Sequence, residues 1–159
     1  MKLSDIYIYP IKSLGDIRLD SVQLDIRGLK NDRRFMLIDG KGIFMTQRTV
    51  RKMALLRTTI EDDNILVWHK DQPDNILSIP TQPKSFIIEK EVVVWDLPSI
   101  CQVLPNAINK WFQDQLEMDC QLVYMPDTAE RRMKEKYNAK RDLVSFADGA
   151  PILLIGQAA

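Results

Sequence analysis

The stretch "RRFMLIDGKGIFMTQR", residues 33–48, limits what this chain can fold into more than any other. Two apolar runs flank Asp39-Gly40, a pair that accepts the positive φ of a tight hairpin turn, so the stretch predicts strand, turn and strand. The pattern repeats. "MALLRTTI" and "ILVWH" flank the turn-prone "EDDN", "SFIIE" and "VVVWD" flank Lys90, and "QLVYM" returns to strand near residue 121. Near the N-terminus Ile6 and Ile8 alternate with Tyr7 and Tyr9 until Pro10 removes a ladder donor and closes the strand. In "IRLDSVQLD" Ile17 and Leu19 are followed by Val22 and Leu24, and the phase change at Ser21 predicts a bulge or bend of the kind that curls sheets. Gly28 then offers a turn. Short strands at this spacing are those of an all-β barrel or sandwich.

One segment breaks the period. Leu104, Ile108, Trp111, Phe112 and Leu116 recur at helical spacing, and Pro105 suits a first turn, so an amphipathic helix is expected over about 104–117. Ser99 and Gln102 also match a capping box, but a helix begun there would carry Pro105 in its interior, which favours the later start. The fold class expected is mainly β: a β-barrel-like antiparallel domain over 1–125 with one inserted helix. Residues 126–145, with the mixed charges of "ERRMKEKY", read as a polar linker or solvated loop. "FADGAPILLIG" opens a new apolar strand, Ile152–Ile155, four residues before the last, so 146–159 reads as the truncated start of a second domain.

Composition excludes more than it assigns. The chain of 159 residues is long enough for one core, and 22 basic against 22 acidic residues leave no field that favours nucleic acid or a membrane surface. No run of about 20 apolar residues predicts a membrane span, and no signal-peptide core appears. Cys101 and Cys120 form no C-x-x-C pair and His69 is the single histidine, so the usual zinc ligand sets are missing. A disulfide between the two remains open, but a reduced, cytoplasmic protein with both cysteines as small buried hydrophobes is the reading preferred.

Individual residues have bland readings. Lys12 and Ser13 fall just past the first strand, and a lysine there is ordinarily solvated. The pair Arg33-Arg34 reads as surface charge or as an ion pair with Asp32. Trp68, Trp95 and Trp111 read as core packing rather than a stacking platform, and His69, ending a strand, as exposed. The basic residues of "ERRMKEKY" read as solvated rather than as a dock for an acidic redox partner. No nucleophile–base pair and no metal ligand set is visible.

The order and spacing of "YPIKSLGDIRLDSVQLDIRGLKNDRRFMLID", "GIFMTQR" and "FADGAPILLIG" resemble the N-terminal β-barrel region of MOSC-domain proteins, such as the mitochondrial amidoxime-reducing component and its bacterial relatives. The resemblance implies a molybdenum cofactor held between the barrel and a C-terminal MOSC domain. By residue-wise carry-over, Lys12 and Ser13 would contact the pyranopterin and its phosphate, Arg33 would be a further cofactor contact, and Arg48 would belong to the wall of the site. Gly149 and Ala150 stand where relatives carry small hydroxyl residues, so only their backbones could take part. A lysine point charge and a forked guanidinium suit a phosphate. The family's metal-binding cysteine lies in the MOSC domain, and neither Cys101 nor Cys120 matches it. This chain is therefore expected to clamp the cofactor but not to catalyse alone. The complete protein would reduce N-oxygenated substrates with electrons from a donor protein or domain. A non-catalytic sulfur or cofactor carrier, or an interaction module, is the alternative, and a pyridoxal phosphate Schiff base on Lys12 a weaker one.

Overall fold

The run Phe35-Met36-Leu37-Ile38 does not alternate because its strand is buried on both faces. The computed structural model describes residues 3–136, 140 and 142–156. Its strands are β1 (Ile6–Ile8), β2 (Ile17–Leu19), β3 (Leu24–Asp25), β4 (Gly28–Leu29), β5 (Phe35–Asp39), β6 (Leu56–Glu61), β7 (Asn64–His69), β8 (Gln72–Pro80), β9 (Ile88–Val94), β10 (Leu97–Val103) and β11 (Cys120–Tyr124). A 3-10 helix, Arg51–Leu55, leads into β6, and α1 (Asn106–Leu116) lies between β10 and β11. The fold is mainly β and antiparallel with one α-helix among the described residues, as the sequence pattern indicates.

Four strands run in the order β5-β11-β10-β9 and three in the order β6-β7-β8, with β1-β2 and β3-β4 as small ribbons. Residues 9–15 stitch the two larger sheets together. Phe35 N–H donates to Pro10 O (3.1 Å), Lys12 N–H to Phe35 O (2.8 Å) and Gly15 N–H to Leu56 O (3.2 Å), which curls the whole into a barrel-like shell. One core, holding Phe35, Leu37, Leu56, Val67, Phe112 and Leu122, fills this shell. A second, holding Met36, Ile38, Val92, Val103, Val123 and Phe146, lies on the other face of β5 and β11. Each fully buried side chain of this size contributes about 1.5–3 kcal/mol.

Helix α1 closes the first core with Phe112 and Leu116. Asn109, 3% exposed, locks it in place: its amide donates to Leu104 O (2.8 Å) and its carbonyl accepts from Leu122 N–H (2.8 Å). Pro105 stands at the N-cap, and Ser99 and Gln102 lie within β10, so the later helix start is the one observed.

Several local expectations are corrected. Lys90 is not a turn: β9 runs straight through it, and the hairpin falls at Trp95-Asp96, both left-handed (φ 50° and 66°). The first hairpin closes around Asp39, whose Oδ1 accepts from Lys41 and Ile43 N–H, but its second arm is only a bridge, Ile38 to Phe44. The 126–145 stretch is not uniformly solvated. Arg131 and Met133 turn inward, a bridge joins Arg132 to Leu143, and Val144, Ser145, Phe146 and Ala147 are buried. Tyr137–Ala139 and Arg141 of that stretch, and residues 157–159, lie outside the described residues. Ile152–Ile155 forms no strand and is exposed throughout, since no neighbouring strand among the described residues offers it a ladder.

Candidate functional site

Proline and burial place the cation. Pro10 ends the strand-like entry, Ile11 and Leu14 plunge into the first core, and Lys12-Ser13 must turn between these two anchors. Leu14 N–H donates to Ile11 O (3.1 Å), Ser13 adopts φ 63°, and Gln47 Nε2 donates to Ser13 O (3.0 Å). Lysine and serine therefore stand side by side because a tight turn between buried residues presents both to one cleft.

That cleft, about 290 Å³, is lined by Tyr9, Lys12, Ser13, Leu14, Arg33, Thr46, Gln47, Arg48 and Asp148. The structure thus brings together Lys12, Ser13, Arg33 and Arg48. Gly149 and Ala150 follow Asp148 in the chain but are exposed and do not line the cleft.

Arg33 is the residue of the arginine pair that faces the cleft. Its Nε donates to Asp32 Oδ2 (2.6 Å) and its Nη2 to Pro151 O (3.2 Å), while Asp32 Oδ1 accepts from Tyr9 N–H (2.8 Å). Burial raises the Asp32 pKa, and the Arg33 charge and the bonds from Tyr9 and Arg33 oppose it. Arg34 turns the other way, donating to Met125 O (2.6 Å) and Asp127 Oδ1 (2.7 Å). Arg33 has φ 50°, so its conformation, like that of Ser13, is one that side-chain-bearing residues rarely adopt.

Nothing local in the sequence marks Asp148, which directly precedes Gly149. It forms an ion pair with Lys12 Nζ and accepts from Trp95 Nε1 (2.9 Å). Burial lowers the Lys12 pKa, against the hydrogen bond and charge of Asp148. Burial pushes Asp148 up, but the hydrogen bonds from Lys12 and Trp95 and the charges of Lys12 and Arg48 prevail and hold it below the ordinary value. Trp95 is 41% exposed and sits in the β9–β10 turn, which corrects its assignment to a strand and to the core. Trp68 and Trp111 are half-buried, and Trp111 packs against the first core. The Arg48 guanidinium lies over the Trp95 ring (5.4 Å to the centroid), and Phe44 meets that ring edge-on (5.1 Å).

The remaining candidates lie elsewhere. His69 is half-buried rather than exposed because its Nδ1 accepts from Asp71 N–H (3.2 Å) across the turn. Cys101 and Cys120 are free thiols buried in different cores, and burial pushes both up to about 12. They behave as small hydrophobes. Among the described residues, no group of three or more His, Cys, Asp or Glu could hold a metal ion. No helix among them is long and apolar enough to cross a membrane.

A barrel-like antiparallel shell with a cationic cleft at its N-terminal turn defines the class, and the chain belongs to the MOSC N-terminal beta barrel domain family, whose profile matches residues 1–119. Among individual proteins it is similar to the molybdenum cofactor sulfurases of Arabidopsis thaliana (27% identical, 98% of this chain, 20% of that one) and Caenorhabditis elegans (23%, 97% and 20%). It is also similar to mitochondrial amidoxime-reducing component 1 of Mus musculus (24%, 98% and 48%). The chain thus spans about a fifth to a half of the length of these relatives. The solution structure of a Bordetella bronchiseptica protein shares the fold, with TM-score 0.51 and 12% identity over 72% of this chain and 95% of that one.

Proposed function

We propose that this chain is the cofactor-cradling part of a molybdenum-cofactor protein, gripping the phosphate and pterin while a companion MOSC domain, begun near residue 146, binds the metal. The observation that carries the reading is the convergence of Lys12, Ser13, Arg33 and Arg48 on one cleft in a chain of this family. The donor set fits the organic part of the cofactor. An ammonium, two guanidiniums and a hydroxyl supply the point charge and forked donors that a phosphate takes up. It does not fit the metal, since both thiols are buried in the cores with pKa values raised to about 12. When bound, the cofactor would supply a redox-active molybdenum centre; this chain's residues would bind and orient it.

On this reading the complete protein reduces N-oxygenated substrates with electrons from a donor protein or domain; its mouse relative is named for the reduction of amidoximes. A second reading, handling of the cofactor or its sulfur, is favoured by the relatives named molybdenum cofactor sulfurase, matched over nearly the whole chain. Both readings use the same cleft. Pyridoxal phosphate on Lys12 is less well supported: the side chain is 6% exposed and its amine is held by Asp148. Lys12→Ala and Arg33→Ala in the full reading frame, purified from cells that make the cofactor, are expected to lose most of the bound pterin and molybdenum. Unchanged occupancy in both variants would refute the clamp.

A further inference from the structure

Two donors from distant parts of the chain meet at one oxygen. Lys12 Nζ and Trp95 Nε1 both donate to Asp148 Oδ1, the second at 2.9 Å. The lysine side chain is 6% exposed and the aspartate side chain 62%, so the acid covers the base from the solvent side. Trp95 is held firmly for this task. It occupies the first position of a two-residue left-handed turn, φ 50°, where Asn or Gly is usual, and such an outlier beside a cleft points to a role beyond packing. Arg48 lies over its ring and Phe44 against its edge.

Both arms hang from one buried group. Arg131, with no exposed surface, donates to Val94 O (3.2 Å), immediately before Trp95, and to Ser145 O (2.5 Å) and Ala147 O (2.9 Å), just before Asp148. Just past Asp148 the packing loosens until Pro151, whose O accepts from Arg33 Nη2. Gly149 and Ala150 are exposed, and a Cβ built on Gly149 would meet nothing within 4 Å.

We infer that Lys12 Nζ and Trp95 Nε1 form a subsite for one oxygen of a phosphate monoester, and that Asp148 is its internal occupant, displaced when the phosphate enters. The inference rests on the reading of the cleft as a cofactor clamp, and adds to its Lys12 Nζ a donor from beside the lining, Trp95 Nε1, which reaches Asp148. Convergent N–H donors are what a phosphoryl oxygen requires, and the carboxylate presents the same charge and lone pairs to them. In the free protein Asp148 spares the buried Lys12 an unpaired charge. Entry of a phosphate exchanges one anion for another at the same donors, so weakly charged ligands that cannot replace the carboxylate are rejected. The mobile piece is the carboxylate; the fixed piece is the donor pair.

The test is a titration with inorganic phosphate, followed by calorimetry and by the Trp95 indole N–H resonance, on the wild type and on Asp148→Asn, Trp95→Phe and Lys12→Ala. Asp148→Asn keeps an acceptor for Trp95 but removes the competing charge, and is expected to tighten phosphate binding by about tenfold. Trp95→Phe in the Asp148→Asn background should lose most of that gain. The Trp95 resonance should move on saturation, and take the same position in protein carrying the cofactor. Unchanged or weaker binding by Asp148→Asn, or a Trp95 resonance that phosphate does not move, overturns the inference. If Lys12→Ala weakens binding while Asp148→Asn does not alter it, the clamp stands and the internal occupant falls. If phosphate binds to neither wild type nor variants, both fall. A resonance moved by free phosphate but not by the bound cofactor would assign the subsite to another phosphate and overturn its link to the cofactor.

Discussion

Replacing Arg131 with methionine sets two large effects against each other. The guanidinium is fully buried and its pKa is pushed well down, to about 10, first by desolvation. A shift of that size corresponds to about 3 kcal/mol of burial cost at neutral pH, which Arg131→Met would relieve. Against it stand three bonds to the carbonyls of Ser145, Ala147 and Val94 at 2.5, 2.9 and 3.2 Å. The three carbonyls, left buried without a donor, cost about 1–3 kcal/mol each, about 6 kcal/mol in all. The carbonyls win, and Arg131→Met is expected to destabilise the fold by about 3 kcal/mol. In urea unfolding, with a slope of about 2 kcal/mol per molar, the midpoint should fall by about 1.5 M. A midpoint that holds or rises would mean that the buried cation is a net liability, as some buried ion pairs are, and would refute the balance drawn here.

Asn109→Ala leaves Leu104 O and Leu122 N–H without their buried partner and should cost about 2–4 kcal/mol in the same unfolding assay; a loss below about 1 kcal/mol would show that α1 does not depend on this tie. Gly28 has φ 114°, and a Cβ there would lie 2.8 Å from the Pro151 Cβ, so Gly28→Ala should cost about 1–3 kcal/mol. Gly149→Ala, in open space, should stay within about 0.5 kcal/mol, and equal effects at the two sites would contradict the packing. The hydrogen bond from Arg34 holds the pKa of the largely exposed Asp127 below 3.8, so the stabilisation is complete above that value and is lost as pH falls through the depressed one. Asp127→Asn should therefore be less stable at pH 7, and the gap should close in acid; a gap that persists in acid is the opposing result.

The hairpin at "EDDN" was legible because Asp62 and Asp63 tolerate the left-handed backbone they adopt, φ 46° and 61°. The turn at Trp95-Asp96 was not, because tryptophan is a poor residue for that conformation and the apolar run beside it reads as strand. Arg131 and Met133 were hidden by composition: a stretch of mixed charge resembles a solvated loop until carbonyls in Val94 and residues 145–147 are seen to satisfy the arginine. Local pattern could place Lys12 past a strand end but not give it a role; that came from the family resemblance. Asp148 and Trp95 lie 136 and 53 residues from their respective partners, Lys12 and Asp148, and a single sequence carries no local signal for such a meeting. The four residues that the cleft unites, Lys12, Ser13, Arg33 and Arg48, come from three separate turns, of which the first two are fixed by the seam of hydrogen bonds around Phe35.

The most direct test of the clamp is the pterin content per chain, read as fluorescence after oxidative release, for the full reading frame purified from cofactor-producing cells as wild type, Lys12→Ala and Arg33→Ala. Near-stoichiometric pterin in the wild type, falling by about tenfold or more in each variant, is the outcome expected from the loss of a charged contact to phosphate. Equal pterin in all three proteins would contradict the assignment of this cleft to the cofactor.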